Sequence, residues 1–163
     1  MFYRELRSCD PTVILAAHWA MYNGEEKWNK LDYDKLTRTI QRLRSQPIDN
    51  VVLIGHLPLF RSSQPKLGAR TFRVNAVDRT YTTFNPLAAE TDNKLNLLAQ
   101  QQHVSFVSPI DLLCDADGCL ISASKETLRP LAWDNSHLTE DGSNLFIERA
   151  VQSHRLDLPN RLP

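Results

Sequence analysis

The sequence lacks any excess of charge of one sign. Its 163 residues contain 19 Lys and Arg against 19 Asp and Glu, so the formal net charge is zero. A general nucleic-acid binder needs a basic excess to displace phosphate counterions, and we therefore expect no nucleic-acid partner. The same balance predicts limited solubility near neutral pH, because little self-repulsion keeps copies of the chain apart.

Long hydrophobic runs are also missing. No stretch approaches the roughly 18 apolar residues that a membrane-spanning helix needs. The N-terminal segment MFYRELRSCDPTVILAAHW is a poor signal peptide, because Glu5 and Asp10 interrupt it and the apolar run after Pro11 is only as long as a strand. The sequence therefore predicts no membrane span and no export signal within these residues.

Cysteine is scarce, with three residues in the chain. Cys114 and Cys119 flank DADG, a turn-forming tetrapeptide, so a hairpin there would bring the two sulfurs close. A disulfide is expected if the compartment is oxidising, and two free thiols otherwise. No further ligands lie nearby at zinc spacing, so we expect no metal and no cofactor, and Cys9 is left over.

Short apolar runs alternate with amphipathic segments along the chain. This order predicts a parallel sheet covered on both faces, in a single domain over residues 1–163. Functional residues of such sheets lie at the carboxyl ends of the strands, which would gather Trp19, His56, Pro109 and the 134–137 loop. The predicted strands are 11–19, 50–58 and 103–109, the predicted helices are 32–45, 87–102 (beginning at 87 or 91) and 140–153, and 59–86 is predicted to be irregular.

An acid and an imidazole stand three residues apart in WDNSHLTEDG, just before the last predicted helix. In a turn, the Asp134 carboxylate can accept a hydrogen bond from Nδ1–H of His137, which leaves Nε2 free as a base. The spacing is loose, and a surface acid closing a turn beside a helix N-terminus is the alternative interpretation.

Four segments, VILAAHWAMY, VVLIGHLPLF, VSFVSPIDLLCDADGCLIS and WDNSHLTEDG, together resemble the SGNH hydrolase superfamily. Within it, they resemble the SGNH domain fused to bacterial integral-membrane acyltransferases, a family that O-acetylates lipopolysaccharide and other surface glycans. The resemblance implies a flavodoxin-like three-layer α/β/α fold, with Asp134 as triad acid and His137 as base. It also implies a glycan or acylated carbohydrate substrate, an integral-membrane acyltransferase partner, and a location on the periplasmic side of a bacterial inner membrane.

The sequence departs from that family at the nucleophile, because it contains no Gly-Asp-Ser. Its first strand, VILAA, matches a later strand of the family, so we expect an N-terminally truncated, partial SGNH domain with an open edge strand. Ser62, Ser63 and Ser136 are poor substitutes, and the side chain of Ser136 should point away from His137, its neighbour in sequence. The chain alone is therefore expected to be inactive.

Several other residues are weaker candidates. His18 and Trp19 could line an acyl or sugar pocket, although core packing is the simpler interpretation. His56 could contact substrate, or simply end its strand. Arg61 and Arg70 could bind an anionic glycan, although a charged loop needs no such role.

The expected function is O-acyl transfer or ester hydrolysis on bacterial surface glycans through a Ser-His-Asp triad. A non-catalytic glycan-binding module and an inactive structural remnant are the alternatives.

Overall fold

The computed structural model describes residues 11–19, 31–48, 50–75, 78–124, 126 and 129–156. In chain order its elements are β1 (Thr12–Leu15), α1 (Tyr33–Arg44), β2 (Asn50–Ile54), α2 (Gln64–Asn75), β3 (Arg79–Thr80), α3 (Pro86–Gln102), β4 (Ser105–Val107), α4 (Pro109–Leu113), β5 (Cys114–Asp115), β6 (Gly118–Leu120) and α5 (Glu140–Gln152).

The central sheet has three parallel strands in the order β1-β2-β4. Its middle strand, NVVLI, is buried over its last four residues, as expected for an apolar run covered on both faces. Within the described residues β1 pairs only with β2, and Ile14 on β1 is 48% exposed. The predicted mixed α/β fold with a parallel sheet is confirmed, and β1 lies at one edge of that sheet.

Alternating side chains of β2 enter two different hydrophobic clusters. Leu53 packs with residues of α1 and α3, including Ile40 and Leu95. Val52 and Ile54 pack on the other side, with a cluster that includes Phe146 of α5. Because successive side chains of a strand point to opposite faces, helices cover both faces of the sheet.

The first and last helices begin where the sequence predicted. Asp32 caps α1 by accepting a hydrogen bond from the backbone N–H of Lys35 at 2.8 Å. Thr139 caps α5 by accepting one from the N–H of Gly142 at 3.0 Å. Such caps satisfy backbone donors that lack a partner within the helix, so α5 begins immediately after the 134–137 loop.

Residues 59–86 are not irregular throughout, because α2 occupies 64–75. Pro65 lies in its first turn, where the missing N–H does no harm, and Leu67 is 2% exposed. The prediction failed because Gly68 lowers helix propensity and because the polar stretch offers few apolar residues to mark a buried face. A short helix, α4, also follows β4 at the position where only a strand end was expected.

A second sheet, ordered β3-β6-β5, is antiparallel and packs beside α4. Cys114 and Cys119 face each other across its hairpin and are joined in a disulfide. Among the described helices, none combines the length and the apolar character that crossing a membrane requires.

Candidate active site

The loop between Trp133 and Leu138 is a narrow-necked turn. Ala132 and Leu138 form an antiparallel bridge, and the N–H of Trp133 donates to the carbonyl of His137 at 2.8 Å. Inside the turn, Oδ1 of Asp134 accepts the N–H groups of Ser136 at 2.9 Å and His137 at 2.8 Å. The position of the carboxylate is thus set by bonds within the turn itself.

The second carboxylate oxygen completes the pair. Nδ1 of His137 donates to Oδ2 of Asp134 over 2.7 Å. The bond selects the tautomer with a proton on Nδ1 and directs the Nε2 lone pair away from the carboxylate. Among the described residues Nε2 has no hydrogen-bond partner, and the His137 side chain is 71% exposed. The imidazole is thus oriented, accessible and able to accept a proton.

The electrostatics of the turn keep Asp134 ionised. The N–H of His137, followed by the N–H of Ser136 and the His137 ring, lowers the pKa of this carboxyl to about 2. Hydrogen bonds to the charged form have this effect. At neutral pH the carboxylate is therefore an acceptor for Nδ1–H and stabilises an imidazolium that forms beside it.

The turn is anchored from outside by the segment that follows β2. The N–H of Phe60 donates to the carbonyl of Asn135 at 3.1 Å, and the N–H of Gln64 donates to the carbonyl of Asp134 at 2.8 Å. Phe60 and Gln64 are both 1% exposed. The Asp134–His137 pair is therefore held by buried residues on its underside.

Ser136 lies beside His137 in sequence but bonds to a different imidazole. Its hydroxyl lies 2.9 Å from Nε2 of His18, which follows β1. The His18 ring centroid is 5.9 Å from that of His137 and 5.0 Å from that of His56. Burial lowers the pKa of His18, so the ring bonds to Ser136 in its neutral form at neutral pH. The hydroxyl ties the loop to β1 and is not directed at His137.

Trp19 and His56 lie below this surface. Trp19 is 8% exposed, and its indole N–H donates to the carbonyl of Ile54 at 2.9 Å. His56 is 1% exposed, and its Nδ1–H donates to the carbonyl of Leu57 at 2.6 Å. Burial lowers the pKa of His56 to about 4. Substrate contact by either residue stays a prediction, and it would require the residues that cover them to move.

Asp92 of α3 lies at the carboxyl ends of the strands and was not among the residues predicted from the sequence. Its carboxylate accepts the backbone N–H of His56 at 2.7 Å and the hydroxyl of Ser108 at 2.6 Å. It thereby joins the carboxyl ends of β2 and β4. Gly55 makes this approach possible, because a β-carbon there would overlap the carboxylate. The signal in the sequence was an acid three residues before Leu95, within the apolar stripe of the helix.

The remaining candidates have other partners or lie on the surface. The carbonyl of Ser63 accepts N–H groups at the start of α2, and neither Ser62 nor Ser63 bonds to His137 in the described part of the chain. The N–H of Arg61 donates to the carbonyl of Thr83, and Arg61 and Arg70 are exposed. Across the described ranges, no group of three or more His, Cys, Asp or Glu side chains is arranged to hold a metal ion.

Comparison with known proteins agrees with this fold. The family model described as "SGNH domain (fused to AT3 domains)" matches residues 2–152, so the chain belongs to that family. No curated protein sequence matches it.

Two solved structures share the fold at low sequence identity. One is the periplasmic domain of a lipopolysaccharide acetyltransferase from Salmonella ser. Paratyphi A. It is 19% identical with a TM-score of 0.70, and the match covers 88% of this chain and 56% of that one. The other is a peptidoglycan O-acetylesterase, 18% identical with a TM-score of 0.54, where the match covers 88% of this chain and 36% of that one. The chain thus spans little more than half of the first structure.

Proposed function

We propose that this chain supplies the acid–base half of a Ser-His-Asp triad that acts on O-acyl groups of bacterial surface glycans. The observation that carries the proposal is the 2.7 Å bond between Nδ1 of His137 and Asp134. In the reaction, Nε2 of His137 would take the proton of a serine hydroxyl as it attacks the acyl carbon. The same nitrogen would later return that proton to the leaving alcohol.

The nucleophile in this proposal comes from a segment that the 163 residues do not contain. Ser136 bonds to His18, and no other described serine bonds to His137. Among the described residues one edge of β1 is unpaired and Ile14 is exposed, so a further strand can pair there. Such a strand would run beside His18, whose ring lies next to His137.

Glycan esters are the proposed substrates because two structures of this fold are named as a lipopolysaccharide acetyltransferase and a peptidoglycan O-acetylesterase. The family description, which pairs the domain with AT3 domains, supports a membrane acyltransferase partner. The Cys114–Cys119 disulfide supports an oxidising, periplasmic setting.

A glycan-binding module without chemistry is the second candidate. It is favoured by the observation that Nε2 of His137 has no hydroxyl partner among the described residues. Transferase and hydrolase activities differ only in whether a sugar hydroxyl or water accepts the acyl group.

Hydrolysis of p-nitrophenyl acetate tests the catalytic proposal. The purified chain should show no rate above a His137→Ala variant, because a triad without its nucleophile loses several powers of ten in rate. His103→Asn is the matched control for background catalysis by exposed imidazoles. His103 is exposed at the end of α3 with φ of 51°, a conformation that Asn tolerates.

The decisive arm adds the nucleophile. A longer polypeptide that places a Gly-Asp-Ser segment before this sequence should gain a rate that His137→Ala or Asp134→Ala removes and His103→Asn does not. A His137-dependent rate in the 163-residue chain alone would show that the nucleophile lies within it. No gain in the longer polypeptide would favour the binding module.

A further inference from the structure

Trp133 differs from the other described tryptophan of this chain in its environment. The Trp133 residue is 71% exposed, whereas Trp19 is 8% exposed and bonded in the core. A single exposed apolar side chain is ordinary on a protein surface. The position of this one is informative, since it directly precedes Asp134 of the proposed catalytic pair.

The backbone on either side of the indole is fixed. The N–H of Trp133 donates to the carbonyl of His137, and the preceding residue, Ala132, is fully buried and bridged to Leu138. The carbonyl of the next residue, Asp134, accepts the N–H of Gln64. Ordering this backbone on ligand binding therefore costs little, because it is ordered already.

Trp133 and His137 are joined through their backbones at the neck of the turn. They are the next residues inward from the Ala132–Leu138 bridge, and the N–H of Trp133 donates to the carbonyl of His137 at 2.8 Å. Both are largely exposed: the Trp133 residue is 71% exposed, and the side chain of His137 is also 71% exposed. Two exposed side chains on backbone-bonded residues can contact the same ligand, so a sugar that lies on the indole would have the imidazole within reach.

We propose that Trp133 is a stacking platform for a pyranose ring of the glycan, a subsite that presents the ring's acyl ester or hydroxyl to His137. The inference rests on the proposed function for the choice of ligand. An indole offers a large flat apolar face with only two side-chain torsions to restrict. The C–H face of a pyranose is the apolar surface that a neutral sugar can bury there.

Binding of xylotetraose, unmodified and chemically O-acetylated, tests the platform. The hydroxyls of β-xylopyranose are equatorial, so both faces of each ring present axial C–H bonds, which is the surface that the platform is proposed to bind. The full chain is titrated while the indole N–H resonance of Trp133 is followed by NMR. That resonance should shift on addition of either form, and the titration gives Kd.

The variants separate stacking from general loss of structure. Trp133→Ala should raise Kd about tenfold, and Trp133→Phe, which keeps a smaller ring, about threefold. Leu97→Ala is the matched control, since Leu97 is 58% exposed on α3, and it should leave Kd unchanged. Thermal unfolding should be close to wild type in all three, because both side chains are exposed.

Three outcomes would overturn the platform: no shift in the wild type, an unchanged Kd in Trp133→Ala, or an equal loss in Leu97→Ala. These results are distinct from those of the proposed triad. If Trp133→Ala binds normally while the longer polypeptide shows His137-dependent turnover, the platform fails and the triad stands. If binding depends on Trp133 but no turnover appears, the platform stands and the catalytic proposal fails.

Discussion

Replacing Asp92 with Asn should change how the stability of the protein depends on pH. Asp92 is 5% exposed, and burial raises the pKa of its carboxyl from 3.8 to about 6. Hydrogen bonds from Ser108 and from the N–H of His56 oppose the rise and do not cancel it. An Asn side chain occupies the same space and does not ionise, so the variant lacks this titration.

The sign follows from proton linkage. The folded-state pKa lies above the unfolded value, so the folded state binds the proton more tightly. The contribution of Asp92 to stability is therefore fully present below about pH 3.8 and is lost as the pH rises through about 6. The difference between the unfolded and folded pKa values of Asp92 corresponds to about 3 kcal/mol, which is the largest change in the free energy of unfolding that this group can produce.

Other buried groups change stability with pH in the opposite direction. The prediction therefore concerns the difference in the free energy of unfolding between wild type and variant. Burial lowers the pKa values of His18 and His56, the latter to about 4. The unfolded state then binds more protons than the folded state, and these groups make stability rise with pH over the range up to about 6.5. Both histidines are present in wild type and variant, and their contributions cancel in the difference.

The assay is urea unfolding of wild type and Asp92→Asn between about pH 4 and pH 7. The free energy of unfolding of the wild type minus that of the variant should fall by up to about 3 kcal/mol across this range. Asn93→Ala, at an exposed position of α3, removes no ionisable group; it is the control and should give a flat difference. A flat difference for Asp92→Asn as well would refute the assignment of a buried, proton-binding carboxyl.

Two further predictions concern stability. Gly55→Ala should destabilise the fold by about 3 kcal/mol in urea unfolding, because the added β-carbon overlaps the Asp92 carboxylate. Gly68→Ala is the control: the space around Gly68 is open, so this variant should instead gain about 1 kcal/mol from helix propensity. Equal changes in the free energy of unfolding for the two variants would contradict the packing argument. Replacing Cys114 and Cys119 with Ser should lower the free energy of unfolding by about 2 kcal/mol, because the short closed loop gains entropy in the unfolded state. A thiol assay of the denatured, unreduced wild type should detect one free thiol, since two of its three cysteines are paired. Three free thiols would exclude the bond.

Features that depend on neighbours in sequence were predicted well. The α1 helix begins after Asp32 and α5 after Thr139, because a capping side chain reaches N–H groups only three residues ahead. The contact between Asp134 and His137 belongs to the same class, since one turn of backbone brings the carboxylate to the ring. The parallel arrangement of the three strands followed from apolar runs separated by amphipathic helices.

Features that depend on distant partners were not predictable from local pattern. The α2 helix forms in a polar stretch because Leu67 is buried in a cluster with Phe60 and Ile121. The hydroxyl of Ser136 bonds to His18, 118 residues away in the chain.

By itself, the sequence determined the secondary structure that caps and hydrophobic period encode, and it placed an acid and a base in one turn. Only the tertiary structure decided which of the described tryptophans is buried, which imidazole receives the Ser136 hydroxyl, and that Asp92 joins two strands. Local hydrogen bonds need only the right spacing along the chain, whereas burial and long-range bonds depend on which segments meet when the sheet and helices pack.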